Sequence, residues 1–477
     1  MTGGELKQES GALTQAFSIE AIFGQALAAL HAGQPQEAVL TLQGALTDAV
    51  HNQGYSSFQH LAQAATAMLP RDAWLGCAGL YAAALADEAQ PAALLEQAAA
   101  WTTQARAAII AHQSPSAAAR RLTPSGKPKL AYLVSQPHHH ALLSAVVASH
   151  DPSEVEVHVF ADKAWPALPA HVQLHALSAQ DLAGICQAQQ IDVVIDTGGL
   201  QPFAGQFPVI EALVSRIAPV QVGWLGCLAS SGGVFDVLLA DDVSLPPEHE
   251  VHFSERVVRL TGGQWCWSPP LSAPAVVAAP YIARGHVTLG VVGRGLRLGP
   301  QFLTTLAAVM AGDPTLRVCF IGKVCGDQGQ RLNIGAMLSG RGVATDRTSF
   351  APWTTREGYW HWLATVDVVF DTCPASGGLS LLDALWMGVP VVTCHGASLG
   401  SRQAASVLTA IGLDRWVAKD PGHMVQRTLG LIHYAPNFQA SRFAMRERIQ
   451  HSRLLNGKRV ARQIEKMVNT EMKALRQ

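Results

Sequence analysis

The segment from Phe370 to Leu413, FDTCPASGGLSLLDALWMGVPVVTCHGASLGSRQAASVLTAIGL, alternates two short apolar strands with two helices. Each helix is entered through a turn rich in Gly and Ser. Strands joined through helices run parallel, and a parallel sheet needs cover on both faces. The same rhythm extends over most of the chain. A first block has candidate strands at Leu130–Ser135, Val155–Ala161, Asp192–Asp196, Val220–Leu225 and Val237–Ala240. A second has them at Val287–Val292, Arg317–Ile321, Thr348–Ala351, Val368–Asp371 and Val389–Thr393, with a mixed-charge helical tail from Pro421. Polar or Pro/Ala-rich stretches at 113–128 and 268–285 separate the blocks.

Ahead of the first linker, from Ser18 to His112, the pattern is helical, alanine-rich and free of strand signals. Residues 21–46 read as two antiparallel helices broken at Gly33-Gln34-Pro35, a unit similar to one tetratricopeptide hairpin. No second copy recurs at a fixed period, so a repeat array is not expected. A packing module and a partner-binding surface are equally compatible with this stretch. The expected fold class is α/β, with two Rossmann-like domains preceded by an all-α, tetratricopeptide-like domain. The expected limits are a flexible N-terminus at 1–16, the helical domain at 17–122, and Rossmann-like domains at 129–280 and 285–477.

Composition narrows the partners. The chain has 477 residues, 49% hydrophobic and only 14% charged, with 34 basic against 35 acidic residues. That balance points to large cores and to no nucleic-acid or acidic-membrane partner. The N-terminus lacks a signal-peptide pattern, and no apolar run reaches the ~18 residues of a membrane span. The eight cysteines form no C-x-x-C pair, which fits reduced thiols and a cytoplasmic location.

Candidate chemistry gathers after the strands. Asp383 lies one turn into the helix opened by Ser376-Gly377-Gly378, where a carboxylate can accept two hydrogen bonds from ribose hydroxyls. As plain helix chemistry it would only complement the dipole. Gly377, Gly378, Leu379 and Ser380 form a helix-entering turn whose backbone N–H groups suit a diphosphate. Arg294 and Arg297 follow the first strand of the second block and can neutralise such a group. The SQPHHHALL segment offers His138, His139 and His140 after the first strand of the first block. Three adjacent histidines cannot converge on one metal in ordinary geometry, so no metal site is expected. A dinucleotide oxidoreductase is set aside, because Gly293-Arg294-Gly295 lacks the third glycine of its fingerprint.

The DALWMGVPVVT run followed by SR-x-AAS-x-L resembles the sugar-nucleotide half of protein O-GlcNAc transferases and bacterial adhesin N-glycosyltransferases. The PVQVGWLG run (219–226) resembles their other half. The resemblance implies a GT-B glycosyltransferase fold in a divergent bacterial member. It implies that Asp383 holds the ribose of UDP, and that Gly377 to Ser380 run along the diphosphate. Arg297 takes a place where relatives carry Lys, with Arg294 as a second contact. Ala351-Pro352 matches the backbone that reads uracil. Tyr359, Trp360 and Trp362 stand in place of the family's His, Lys and Arg, with an aromatic such as Tyr359 available to stack on the base. Ser401 and Arg402 belong to a turn near the donor, although capping and ion pairing suit them equally well. His138 or His140 matches a histidine facing donor and acceptor. Trp224, Gly226, Gly198 and Gly199 border the acceptor side. Departures are also visible. Gly-Gly-Leu-Ser replaces the relatives' Gly-His-Thr-Thr or Gly-Asn-Thr-Asn, Cys227 to Ser230 replace Tyr-Pro-Gly-Thr, and the 196–203 loop lacks Gly-His-Thr.

The resulting expectation is an inverting, metal-independent transferase that moves GlcNAc or glucose from UDP to Ser/Thr or Asn of a protein. No cofactor is expected beyond the UDP-sugar co-substrate, and the residues single out no general base. One alternative keeps the fold but uses another nucleotide sugar, a deoxy sugar or nonulosonic acid, on a surface protein such as flagellin or adhesin. Another is a non-catalytic scaffold that holds a partner through its N-terminal helices.

Overall fold

A computed structural model describes residues 18–112, 126–161, 165, 168–177, 182–201, 207–434 and 438–477. The proposed N-terminal tail (1–16), most of the first linker, and Pro202 and Phe203 of the 196–203 loop lie outside the described residues.

The chain begins with five helices: α1 (Ile19–His31), α2 (Pro35–Asn52), α3 (Tyr55–Met68), α4 (Ala73–Leu85) and α5 (Pro91–His112). The break between α1 and α2 is Gly33, at φ +73°, a left-handed conformation that glycine adopts without a Cβ penalty. α4 is apolar on all sides and sits in the middle of this layer. Small residues let its neighbours approach closely. A Cβ at Gly76 would lie 2.0 Å from the Trp101 ring, and one at Gly79 would lie 2.4 Å from Thr66 Oγ1.

Next come β1 (Lys129–Val134), α6 (His140–Ala148), β2 (Glu156–Ala161), β3 (Val172–Ala176), α7 (Leu182–Ala188), β4 (Val193–Asp196), α8 (Phe207–Ser215), β5 (Val220–Gly223), β6 (Val237–Ala240) and β7 (Arg256–Arg259). They form a seven-stranded sheet in the order β3-β2-β1-β4-β5-β6-β7. The third unit comprises α9 (Tyr281–Arg284), β8 (Thr288–Val292), α10 (Pro300–Gly312), β9 (Arg317–Gly322), α11 (Gln328–Ser339), β10 (Thr348–Pro352), α12 (Arg356–Leu363), β11 (Val368–Phe370), α13 (Leu379–Trp386), β12 (Val391–Cys394), α14 (Gln403–Ala410), β13 (Val417–Ala418) and α15 (Pro421–His433). Its sheet has six strands, ordered β10-β9-β8-β11-β12-β13. Every ladder in both sheets is parallel. Strand order reverses between β1 and β4 in one sheet and between β8 and β11 in the other, and ligands of doubly wound sheets bind beyond the strand ends at such points.

Two last helices, α16 (Phe438–Gln450) and α17 (Gly457–Arg476), cross back to the first sheet. α17 buries one face, with Val460, Ile464, Val468 and Met472 among its buried residues, and packs against α6. There Glu465 accepts hydrogen bonds from His150 Nδ1 at 3.0 Å and from the Asp151 amide at 2.8 Å. Among the described residues, no helix is long and apolar enough to cross a membrane. The expected architecture of two parallel α/β units behind a helical layer is the observed one.

Candidate functional site

Four loops leave the reversal points. Residues 135–139 follow β1, residues 197–201 follow β4, residues 293–298 follow β8, and residues 371–378 follow β11. The two sheets use the same device to shape one loop each. Asp196 closes β4 and accepts from the amides of Gly198 at 3.1 Å and Gly199 at 2.7 Å. Asp371 follows β11 and accepts from the amides of Thr372 and Gly377, both at 2.9 Å, and from Thr393 Oγ1 at 2.7 Å. Burial pushes both carboxyl groups up to about 6, against the pull of these donors.

The donor-side candidates converge. Arg297 lies in a short turn after β8, and its Nη1 donates to the Ser376 carbonyl at 3.0 Å. Its Nε is buried without a protein acceptor among the described residues. Arg294, in the same turn, feels the charge of Arg297, and burial lowers its pKa. Asp383, in the first turns of α13, receives two hydrogen bonds from Arg356, from Nη2 at 2.7 Å and from Nε at 3.1 Å. The Arg356 guanidinium also lies 5.4 Å from the Trp360 ring centroid. Arg356 was not singled out from the sequence. Its signal was local: Thr355 caps α12 by accepting from the Gly358 amide, which fixes Arg356 in the first turn.

The three histidines separate. His138 is exposed in the loop after β1, its ring edge-on to His139 at 4.8 Å, and its pKa falls to about 4 because of desolvation by the surrounding protein and the charges of Arg294, His140 and Arg356. His139 turns back toward Thr197, with Nδ1 at 3.4 Å from Oγ1. The His140 ring lies edge-on to Trp165 at 6.4 Å.

Several expectations need correction. Tyr359 cannot offer a face to a base. It is 1% exposed, stacked on Trp362 at 5.9 Å and packed against Trp353 at 5.1 Å, and its hydroxyl donates to the Ser380 carbonyl. Trp360 and Trp362 are buried as well. The exposed aromatic beside Ala351-Pro352 is Trp353, at 39%. Trp224 is fully buried, so its side chain packs the core and does not border an acceptor. Gly226 is buried against Gly198: a Cβ there would lie 2.3 Å from the Gly198 carbonyl oxygen. Gly198, Gly199 and Gly226 therefore stitch two loops together. Ser401 is 1% exposed and spends its hydroxyl on its own turn, donating to the Ser398 carbonyl at 2.6 Å and accepting from the Gly396 amide at 3.1 Å. Arg402 ties the two sheets by donating to the Val243 carbonyl at 2.7 Å and the Gly396 carbonyl at 3.0 Å.

The altered Gly-Gly-Leu-Ser turn has a physical counterpart. A Cβ at Gly378 would meet the Trp265 indole at 3.0 Å, and one at Gly377 would meet Leu381 at 2.9 Å. Trp265, from the segment after β7, fills the space that a larger side chain at 378 would need.

Residues 322–464 match the family described as Glycosyl transferase family 41. The SPINDLY protein of Solanum lycopersicum, "Probable UDP-N-acetylglucosamine--peptide N-acetylglucosaminyltransferase", is 23% identical over 322 residues, which are 67% of this chain and 34% of that protein. The SPINDLY protein of Arabidopsis thaliana is 24% identical over 316 residues, 66% of this chain and 34% of its own length. The chain thus spans about a third of the length of these curated relatives. A mutant of the Thermobaculum terrenum O-GlcNAc transferase shares the fold, with a TM-score of 0.65 and 22% identity over 96% of this chain and 98% of the other. Family match, relatives and fold agree in their similarity to O-GlcNAc transferase-like glycosyltransferases, with the family 41 match confined to residues 322–464.

Proposed function

We propose that this protein transfers a sugar from UDP to a protein acceptor with inversion and without a metal ion. The observation that carries this reading is the arginine cluster at the turn opening α13. Arg297 binds the Ser376 carbonyl and keeps a buried Nε without a protein acceptor among the described residues, while Arg294 lies beside it. Arg356 stands on Asp383. Such a concentration of fixed cations suits a diphosphate whose charge grows as it leaves.

In this reading Asp383 accepts the ribose hydroxyls. The backbone of Gly377 to Ser380, with Arg294 and Arg297, holds the diphosphate. Ala351 and Pro352 border the base, and the exposed Trp353 supplies the stacking surface that Tyr359 cannot. A Ser/Thr hydroxyl or Asn amide of the acceptor attacks the anomeric carbon as the bond to the β-phosphate oxygen breaks, and UDP leaves with the electron pair. His138 is neutral at pH 7 and in this reading borders the cleft, so it can hold or accept a proton there. GlcNAc or glucose is the favoured sugar. The space at Gly378, filled by Trp265, supports a second reading in which the same site takes a different nucleotide sugar.

The test is calorimetric titration with UDP, GDP, CMP and their common sugar conjugates. Tight binding of UDP and one UDP-sugar is the expected result. Preference for a GDP or CMP conjugate would replace the donor, and folded protein that binds none would leave a non-catalytic scaffold.

A further inference from the structure

The peptide that joins Ser376 to Gly377 is held at both ends. Its N–H, on Gly377, donates to Asp371 Oδ1 at 2.9 Å, and its carbonyl accepts from Arg297 Nη1 at 3.0 Å. A peptide unit is planar, so fixing one end aims the other. Ser376 is itself pinned to the turn that opens α14. Its amide and its hydroxyl both donate to the Gly400 carbonyl at 3.2 Å, and the hydroxyl accepts from the Ala404 amide at 3.2 Å. The residue is 4% exposed, and its hydroxyl is engaged both as donor and as acceptor.

Gly400 carries the connection onward to the first sheet. Its amide donates to the Leu228 carbonyl at 3.0 Å. A Cβ at position 400 would lie 2.9 Å from Leu228 Cδ2 and 3.1 Å from Leu228 Cβ, so the two loops touch with no room between them. Leu228 lies in the Cys227 to Ser230 stretch, between β5 and β6. Ala375 and Leu399, which flank Ser376 and Gly400, are buried in the same apolar cluster as Leu200 and Cys227 of the first unit. A continuous series of contacts thus runs from the Arg297 guanidinium through Ser376 and Gly400 to a loop of the other sheet.

We propose that Ser376 is a positioning residue for Arg297, and that Gly400 ties that position to the first unit's loop at Leu228. This rests on the donor-site reading above, in which Arg297 faces the charge that grows on the diphosphate as the sugar departs. A guanidinium whose carbonyl partner is already fixed has less freedom to lose when that charge appears. A hydroxyl that only capped α14 would act on stability and leave nucleotide binding alone, so the two roles are separable.

The test is calorimetric titration of the full chain with UDP and with UDP-GlcNAc at about pH 8, alongside the melting temperature of each variant. The terminal phosphate of UDP carries the charge that the leaving group acquires, whereas the diphosphate of UDP-GlcNAc is doubly esterified. Loss of Arg297's aim therefore weakens UDP more than UDP-GlcNAc. Ser376→Ala should reduce UDP affinity about fivefold and UDP-GlcNAc affinity less. Arg297→Ala should show the same bias with a larger loss, and the double variant should bind UDP no worse than Arg297→Ala alone. Gly400→Ala, which forces the turn away from Leu228, should lower affinity with the same bias toward UDP. If Ser376→Ala weakens both ligands equally or neither, or if its loss multiplies with that of Arg297→Ala, Ser376 is a structural cap and the positioning role is overturned. Gly400→Ala that binds both ligands like wild type would overturn the tie to Leu228. If Arg297→Ala binds UDP like wild type, Arg297 is not a donor contact and the inference falls with that assignment. Wild-type protein that binds neither ligand would overturn the donor-site reading itself.

Discussion

Arg356 and Asp383 hold each other by two hydrogen bonds, Nη2 to Oδ1 at 2.7 Å and Nε to Oδ2 at 3.1 Å, with the carboxylate nearly buried and the guanidinium partly open. This fork joins α12 to α13. It leaves the carboxylate with lone pairs beyond those used by the arginine, which is what a ribose diol needs. Under the proposed function the pair thus has two duties, one in stability and one in binding.

Asp383→Ala removes both. The variant leaves the Arg356 charge without its partner and should lose about 2 kcal/mol of stability, less than for a fully buried pair because Arg356 reaches solvent. UDP affinity should fall at least tenfold. Chemical denaturation and UDP titration check the two effects separately. Arg356→Ala with Asp383→Ala should cost less stability than the two single losses summed. Unchanged UDP binding in Asp383→Ala would remove the ribose assignment.

How much of this was legible in the chain depends on distance along it. Central strands were readable because burial on both faces makes them apolar runs; Val237–Ala240 is observed with the expected limits. The edge strands β3, β7 and β13 were missed because they are short or exposed and carry polar residues: β3 is VQLHA and β7 is RVVR. The Gly377-Gly378 turn and Asp383 were visible as candidates because turn and helix are local. Trp265 was not, because it reaches the site from a distant part of the chain and nothing in its own neighbourhood signals the contact; the Thr355 cap marks the start of α12 without signalling that Arg356 meets Asp383. Tyr359 was misread for the converse reason. An aromatic on a short helix gives no local sign of which side the fold covers.

Gly378 and Trp265 should be coupled. Gly378→His restores the kind of side chain that relatives carry, but its Cβ would start 3.0 Å from the indole. Overpacking should cost about 1–3 kcal/mol, read as a lowered melting temperature. Adding Trp265→Ala should recover part of that loss, whereas Trp265→Ala alone should destabilise by opening a cavity. Strictly additive losses would show that the indole does not control what position 378 accepts.

Arg297→Ala should cut turnover more than ground-state affinity, because the charge it faces grows as the diphosphate leaves. A loss on the order of a hundredfold in kcat, with a smaller change in KM, is expected for one removed charge-stabilising group. Arg297→Lys should recover only part of it, since the fork that reaches the Ser376 carbonyl is lost. Equal losses in KM and none in kcat would make Arg297 a binding residue only.

Under the proposed function, His138 should make donor binding pH-dependent. Desolvation and the charges of Arg294, His140 and Arg356 hold its pKa at about 4 in the free protein, so it is neutral at pH 7. A bound diphosphate offsets those cations and raises the pKa. Binding then takes up a proton, and UDP-GlcNAc affinity should rise as pH falls from 7 toward 5, by at most about tenfold per pH unit. UDP-GlcNAc is the better ligand for this measurement, because its diphosphate is doubly esterified and does not itself titrate in that range. Calorimetry in buffers of different ionisation enthalpy counts the protons directly. His138→Gln should abolish the uptake, and a flat wild-type profile would place His138 away from the diphosphate.

The docking of α17 on the first sheet should fail in acid before the sheets do. Tyr132 donates its hydroxyl to His150 Nε2 at 2.7 Å, and His150 Nδ1–H donates to Glu465 at 3.0 Å, so the imidazole is neutral and the carboxylate is charged. Burial lowers the His150 pKa below 6.5, and although burial alone would raise Glu465, the donors around it bring its pKa below 4.5. Both groups bind fewer protons folded than unfolded. Their stabilisation is therefore complete above about pH 6.5 and is lost as pH falls through the two folded-state values. Hydrogen exchange of the α17 amides between pH 7 and 5 should show protection falling faster there than in β4 or β11. Glu465→Ala should remove most of that protection at pH 7 already, at a cost of about 3 kcal/mol. If α17 exchanged like the sheet core across this range, the triad would not hold the helix in place.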